Sequence, residues 1–217
     1  MKDIPMFETE YGVASIVLRE IPYLQKAYVT LQATQQPREL VEECLRFCRM
    51  CGAEEVFFKG HHYLEEFPLY TEMWYMQACR AALPETDAAL WPAMPENVER
   101  WQKIYNEKVR KVPNGAWMTN QDAQQMLKKG DGYFIHRDGK LLGIGRASGD
   151  IIDWVAAVEP GAGAQVLCAL AHVITGDTVR LLVASANEKG VALYQKMGFV
   201  PTSVLSRWYR VSPENLF

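Results

Sequence analysis

The stretch SANEKGVALYQKMGF, residues 185–199, follows the apolar run TVRLLVA (178–184) and closes on Gly198-Phe199. Alone it is an amphipathic helix with Ser185 or Asn187 at its N-cap and a glycine stop. Its neighbours say more. Upstream, IIDWVAAV (151–158) reads as a strand, GAQVLCALAHVITG (163–176) as an apolar helix and TVRLLVA as a second strand. Downstream, SVLSRWYRV (203–211) reads as a last strand. The order is therefore strand, helix, strand, helix, strand.

Further upstream, GYFIHRDGKLLGIGRA (132–147) carries a hairpin signal, two apolar runs around Asp138-Gly139. Two helical segments precede it, ENVERWQKIYNEKV (96–109) and TNQDAQQMLKKG (119–130). The second is capped by Thr119 or Asn120 and stopped by Gly130. Pro84, Pro92 and Pro95 mark residues 84–96 as a linker between an N-terminal half, 1–83, and a C-terminal domain, 97–217. The N-terminal half reads as strands VASIVLREI and QKAYVTLQA joined by a turn at Pro22, a helix from Pro37 to Gly52, strand EEVFFKG, a short helix broken at Pro68, and strand TEMWYMQACR. The strand–helix order of the C-terminal half recurs here with little residue identity, either as a duplication or as shared α/β grammar.

Composition bounds the classes. At 217 residues, 49% apolar and 23% charged, the chain is globular, with room for one large core or two smaller ones. A net charge of −3 supplies no basic field for nucleic acid or anionic membrane. No apolar run approaches the ~20 residues of a membrane span. The opening MKDIPMFETEYG carries acids and a proline in place of an apolar signal core, so a cytoplasmic location is expected.

Three cysteines, Cys44, Cys48 and Cys51, share the C-x3-C-x2-C spacing of iron–sulfur ligands. They also fall with Leu40 and Phe47 on one helical stripe, which favours buried thiols in a core. His61-His62 has no third ligand at metal spacing, so no metal site is expected. The glycines of GIGRASG (143–149) sit inside a hairpin strand rather than between strand and helix, so they form no dinucleotide fingerprint.

The ending Asn187, Val191-Ala192-Leu193, Tyr194, Lys196, Gly198-Phe199, after a buried strand, resembles the GCN5-related N-acetyltransferase (GNAT) superfamily. The resemblance covers residues 97–217 best, with the first half as a degenerate copy. It implies an α/β (α+β) chain with a mixed, mostly antiparallel sheet flanked by helices, the acyl-CoA N-acyltransferase fold. It implies acetyl transfer from acetyl-CoA to a primary amine of a small molecule or peptide, or else a non-catalytic relative that binds coenzyme A or a protein partner. The pantetheine arm would pair with the backbone of Ala156, Ala157 and Val158. The pyrophosphate would meet the Gly161, Ala162, Gly163 and Ala164 turn, a loop shorter than the family's and without its Arg or Gln. Tyr194 would act as general acid toward the departing thiolate, and Asn187 would contact the pantetheine or the strand edge. Asp153 is the leading candidate for the base, with Glu159 and His136 behind it. Trp101, Tyr105, Trp117 and Met118 either line an acceptor pocket or pack the two halves together.

Overall fold

A computed structural model describes residues 6–216. In chain order the elements are β1 (Met6–Thr9), β2 (Gly12–Val17), α1 (Ile21–Leu24), β3 (Lys26–Thr34), α2 (Pro37–Met50), β4 (Glu55–Lys59), β5 (Leu69–Cys79) and β6 (Ala89–Pro92). They continue with α3 (Val98–Val109), α4 (Asn120–Lys129), β7 (Gly132–Arg137), β8 (Lys140–Ser148), β9 (Ile151–Ala157), α5 (Gly163–Ala171), β10 (Thr178–Ala184), α6 (Glu188–Lys196), β11 (Val200–Val211) and α7 (Pro213–Leu216). Short 3-10 turns occupy His62–Glu66 and Arg80–Ala82. The sheet is mixed and mostly antiparallel, with helices against it.

The chain divides into two compact units, residues 6–73 with 204–216, and residues 74–203. It passes from one to the other within β5 and again within β11. Residues 84–96, expected as a linker, instead carry β6, which pairs antiparallel with β7 from Ala89↔His136 to Pro92↔Tyr133. The prolines are compatible with this because β6 is the last strand of its sheet, where a missing N–H costs no ladder bond.

In the first unit the strand order is β1-β2-β3-β4-β11. β3 and β4 run parallel, from Lys26↔Glu55 to Thr30↔Lys59, with α2 as the crossover. α2 buries Leu40, Val41, Cys44, Leu45 and Cys48 against the sheet. Cys51, expected on that stripe, is exposed, because α2 ends at Met50 and Cys51 is its C-cap. Burial pushes the Cys44 and Cys48 thiols up to about 12, so both stay protonated. The turn expected at Pro22 is the single helical turn α1.

In the second unit the order is β5-β10-β9-β8-β7-β6. Asp138 and Gly139 turn the β7–β8 hairpin with φ of 51° and 75°, both in the left-handed region that a tight two-residue turn requires. Thr119 caps α4 in a reciprocal box: its Oγ1 accepts from the Asp122 N–H, and Asp122 Oδ2 accepts from the Thr119 N–H at 2.9 Å. α5 packs on β8, β9 and β10 through Val166, Leu167 and Leu170. On the other face α3 and α4 bury Trp101, Met118 and Met126 with Phe134 and Ile144. Among the described residues no helix is long and apolar enough to cross a membrane.

Gly143 and Gly145 make the α5 contact possible. A Cβ on Gly145 would meet the Leu170 side chain and come within 2.8 Å of the Trp154 carbonyl oxygen. Gly145→Ala is therefore expected to lower stability by about 1–3 kcal/mol, because backbone cannot yield as a side-chain tip can. Gly176→Ala, with open space around it and no left-handed backbone, is expected to be near neutral. Urea unfolding of the two variants checks the contrast.

Candidate functional site

The site begins where two parallel strands part. β9 and β10 pair only at Arg180↔Ile151 and Leu181↔Ile152. The closed end is pinned by Arg180, whose N–H donates to the Asp150 carbonyl at 2.8 Å and whose guanidinium pairs with the Asp150 carboxylate at 2.7 Å. Beyond Ile152 the ladder stops, although β9 runs on to Ala157 and β10 to Ala184. On its other side β9 stays paired with β8, Trp154 opposite Arg146 and Ala157 opposite Gly143. The register shifts between Arg146 and Ala147, leaving Asp153 as an extra residue in β9. Such a bulge bends its strand and raises the local twist.

The parted strands open onto a cleft of about 580 Å³. Trp154 to Ala157 form one wall, Gly163 of α5 the base, and Ala186 to Gly190 with Leu193 and Tyr194 the other wall. Lys108, Lys111, Val112 and Pro113, at and beyond the end of α3, complete the rim. Five of the residues expected from the sequence thus meet in one place: Ala156, Ala157, Gly163, Asn187 and Tyr194.

Tyr194 is partly buried against the core of its unit, its ring centroid 6.0 Å from that of Phe199. Burial alone pushes its phenol up to about 12. Its hydroxyl makes no hydrogen bond among the described residues. Asn187 caps α6, its Oδ1 accepting from the Gly190 N–H at 3.3 Å. At α5 the first helical bond runs from the Val166 N–H to the Ala162 carbonyl, and Ala162 supplies no side-chain cap. The amides of Gly163, Ala164 and Gln165 are therefore left over at a helix N-terminus, where the dipole favours an anion.

The other expected residues lie differently. The Val158 and Glu159 N–H groups both donate to the Leu142 carbonyl, at 2.8 and 3.0 Å, so the Val158 amide is occupied. Gly161 and Ala162 shape the turn into α5 without lining the cleft. Asp153 sits at the bulge, outside the lining, in the field of Arg146, which makes a bidentate pair with buried Asp131 at 3.1 and 2.6 Å. Although its side chain is exposed, the surrounding protein raises the Asp153 carboxyl, chiefly by desolvation; Arg146 opposes the rise and Asp131 adds to it. Glu159 pairs with Lys140 at 2.9 Å, and His136 stands in β7 with Nδ1 buried and unpartnered among the described residues. Trp101, Tyr105 and Met118 pack under the cleft: Tyr105 stacks on Trp101 at 5.5 Å and meets Trp154, which lines the cleft, at 4.5 Å. Trp117 lies away from them beneath Arg110, 4.6 Å from its guanidinium.

Sequence reading missed the cations. Lys108, Lys111 and Lys189 reach the cleft and make no ion pair among the described residues; Glu188 is the one acid beside them. Lys108 and Lys111 lie about 40 residues before the βαβ unit in the sequence, which is why no motif at the glycine turn points to them.

With this geometry the comparisons agree. The fold is that of the GCN5-related N-acetyltransferases. A GCN5-related N-acetyltransferase from Sphaerobacter thermophilus aligns at TM-score 0.57 and 13% identity, covering 92% of this chain and 76% of its own. A functionally unknown conserved protein from Staphylococcus epidermidis aligns at 0.60 and 14%, covering 97% and 94%. A tandem GNAT protein from the clavulanic acid biosynthesis pathway aligns at 0.51 and 10%, covering 92% and 78%. No family model and no curated protein matches the sequence.

The charges around Asp153 are directly testable. Asp131→Asn removes a like charge and leaves the Arg146 guanidinium to Asp153, so the Asp153 carboxyl is expected to titrate lower than in the native protein. Carboxyl carbon NMR across an acid titration reads this shift.

Proposed function

We propose that residues 74–203 form an acyltransferase site that takes acetyl-CoA and moves its acetyl group to a primary amine of a small molecule or peptide. The observation that carries this reading is the parting of β9 from β10 beside Tyr194 and the uncapped α5 N-terminus. The backbone of Ala156 and Ala157, freed from β10, offers a strand edge to the pantetheine amides. The amides of Gly163 and Ala164, backed by Lys108, Lys111 and Lys189, suit the phosphates, since hydrogen bonds to anions are charge-assisted. These lysines stand in for the Arg or Gln that the short turn lacks.

Bound acetyl-CoA supplies a thioester acyl group, which an unprotonated amine attacks, the C–S bond breaking as the C–N bond forms. Tyr194 Oη holds its proton at neutral pH and has no protein acceptor to satisfy. A complete proton transfer from a phenol at about 12 to a thiolate near 8.5 would run uphill by roughly 5 kcal/mol. Tyr194 therefore acts first as a hydrogen-bond donor to the departing sulfur, and the amine's proton leaves to water in the open cleft. No role is assigned to Asp153, whose carboxyl lies outside the lining.

The second reading, a protein that keeps the fold to bind coenzyme A or a protein partner without transfer, draws on the occupied amides of Val158 and Glu159. Thiol release from acetyl-CoA over a panel of amines separates the two. Tyr194→Phe is expected to lower kcat about 10- to 100-fold, the worth of one hydrogen bond to a charged group. Because the phenol stays protonated below about 12, native kcat should show no Tyr194 titration between about pH 6 and 10. Turnover unchanged by the substitution would remove Tyr194 from the mechanism. Replacing Lys108, Lys111 and Lys189 by Gln is expected to weaken acetyl-CoA binding and flatten its salt dependence, measured by calorimetry. No heat with millimolar acetyl-CoA and no thiol release would overturn the first reading.

A further inference from the structure

The first unit has a concavity of its own. β4 lies between two longer strands. β3 pairs with it as far as Thr30↔Lys59 and then continues to Thr34. β11 pairs with it from Val211↔Val56 to Tyr209↔Phe58, and its upstream residues reach back beyond the end of β4. At Gly60, with φ of 106°, the chain leaves the line of the strand. Residues 31–34 of β3 and 204–207 of β11 therefore flank a space where one strand is missing, two strand spacings or about 9.5 Å across. A cavity of about 790 Å³ lies at its β4 end, reaching Gln32 on β3 and Val204 on β11, with Lys59 and His61 also in the lining.

Three features describe the occupant. The flanks are backbone edges without a lysine, and the one charge on them, Arg207, is held by Glu72 at 2.8 Å. Val204 and Leu205 are 46% and 55% exposed on one flank, apolar surface left beside an open ladder. The slot is blind at the end where β4 stops, and a cation stands there: Lys59 lies over the Trp208 ring at 4.8 Å and has no ion pair among the described residues. The His61 and His62 rings, 4.2 Å apart, also line this end, as does Glu65.

We propose that this slot takes the carboxyl-terminal end of an extended peptide, in the line of β4, with its carboxylate at Lys59. A chain whose last residue meets the blind end runs against β3 and along β11. About four residues fit, since β3 extends four residues past its last pair with β4, each rising about 3.3 Å. Main-chain hydrogen bonds to both flanks supply affinity, and Val204 and Leu205, on opposite faces of β11, favour apolar side chains at two successive positions. The site is independent of acyl transfer in the other unit.

The test uses the full chain and an array of N-acetylated hexapeptides randomised over their last four positions, made once as free acids and once as C-terminal amides. Free acids are expected to bind, their amides about tenfold or more weakly. Lys59→Gln is expected to erase the preference for the acid. N-methylation of alternate peptide amides is expected to abolish binding without altering the protein. Hydrogen exchange supplies the second readout: amides of 31–34 and 204–207 that point into the slot exchange freely in the unliganded protein and become protected by a bound peptide. Equal binding of acids and amides overturns the carboxylate assignment. Absence of binding across the array, or protection of those amides in the free protein equal to that of β4, overturns the slot.

Discussion

Between β8 and β9, Arg146 stands opposite Trp154 and Ala147 opposite Ile152, so Asp153 has no partner across the ladder. The extra residue falls directly after the last parallel pair of β9 with β10. A bulge at that point turns β9 away from β10 while the β8 ladder keeps it in the sheet. Everything in the candidate site depends on this divergence. It frees the backbone of Val155 to Ala157 on one side, lets α6 bring Tyr194 and Asn187 to the gap, and leaves the α5 amides facing the same space. The Arg180–Asp150 clamp keeps the far end shut.

The first unit uses the same local device with a different outcome. There β3 has its extra residue at Gln32, because Val13 pairs with Ala33 and Ala14 with Leu31, and this bulge also follows the last parallel pair. The parallel ladder before it is five residues long rather than two. The helix after β4 is a single 3-10 turn, capped by His61 Nδ1 where Asn187 caps α6. α2 begins with Gln36 and Pro37 where α5 begins with glycine and alanine, so the first crossover helix has no glycine turn before it. Bulge, crossover and cap thus correspond in the two units. The differences explain why the acyl-transfer reading attaches to the second unit.

Much of the local structure was legible from residue order. Asp138-Gly139 announced a tight hairpin, Thr119 with Asp122 a capped helix, and the 3.6-residue pattern of Leu40, Cys44 and Cys48 a buried helix face. Ala156, Ala157, Gly163, Asn187 and Tyr194, singled out by the family resemblance, do share one cleft. Where reading failed, the cause was distant. β6 carries Leu90 and Trp91 between prolines, and only its place at the edge of the sheet makes it a strand. Cys51 fits the helical stripe by number but falls one residue past the helix. Asp153 fits an alternating strand until the bulge shifts the register.

By itself the sequence indicated most of the elements and their order, because turn chemistry, capping and periodicity act over a few neighbouring residues, and its resemblance to a known family singled out the residues proposed for acyl transfer. The tertiary structure alone decided that β9 and β10 part while β3 and β4 stay paired. It also decided that Lys108 and Lys111 reach the cleft, and that the Val158 amide is spent on Leu142. Each of these is a contact between segments far apart in the chain, set by register and packing rather than by local propensity.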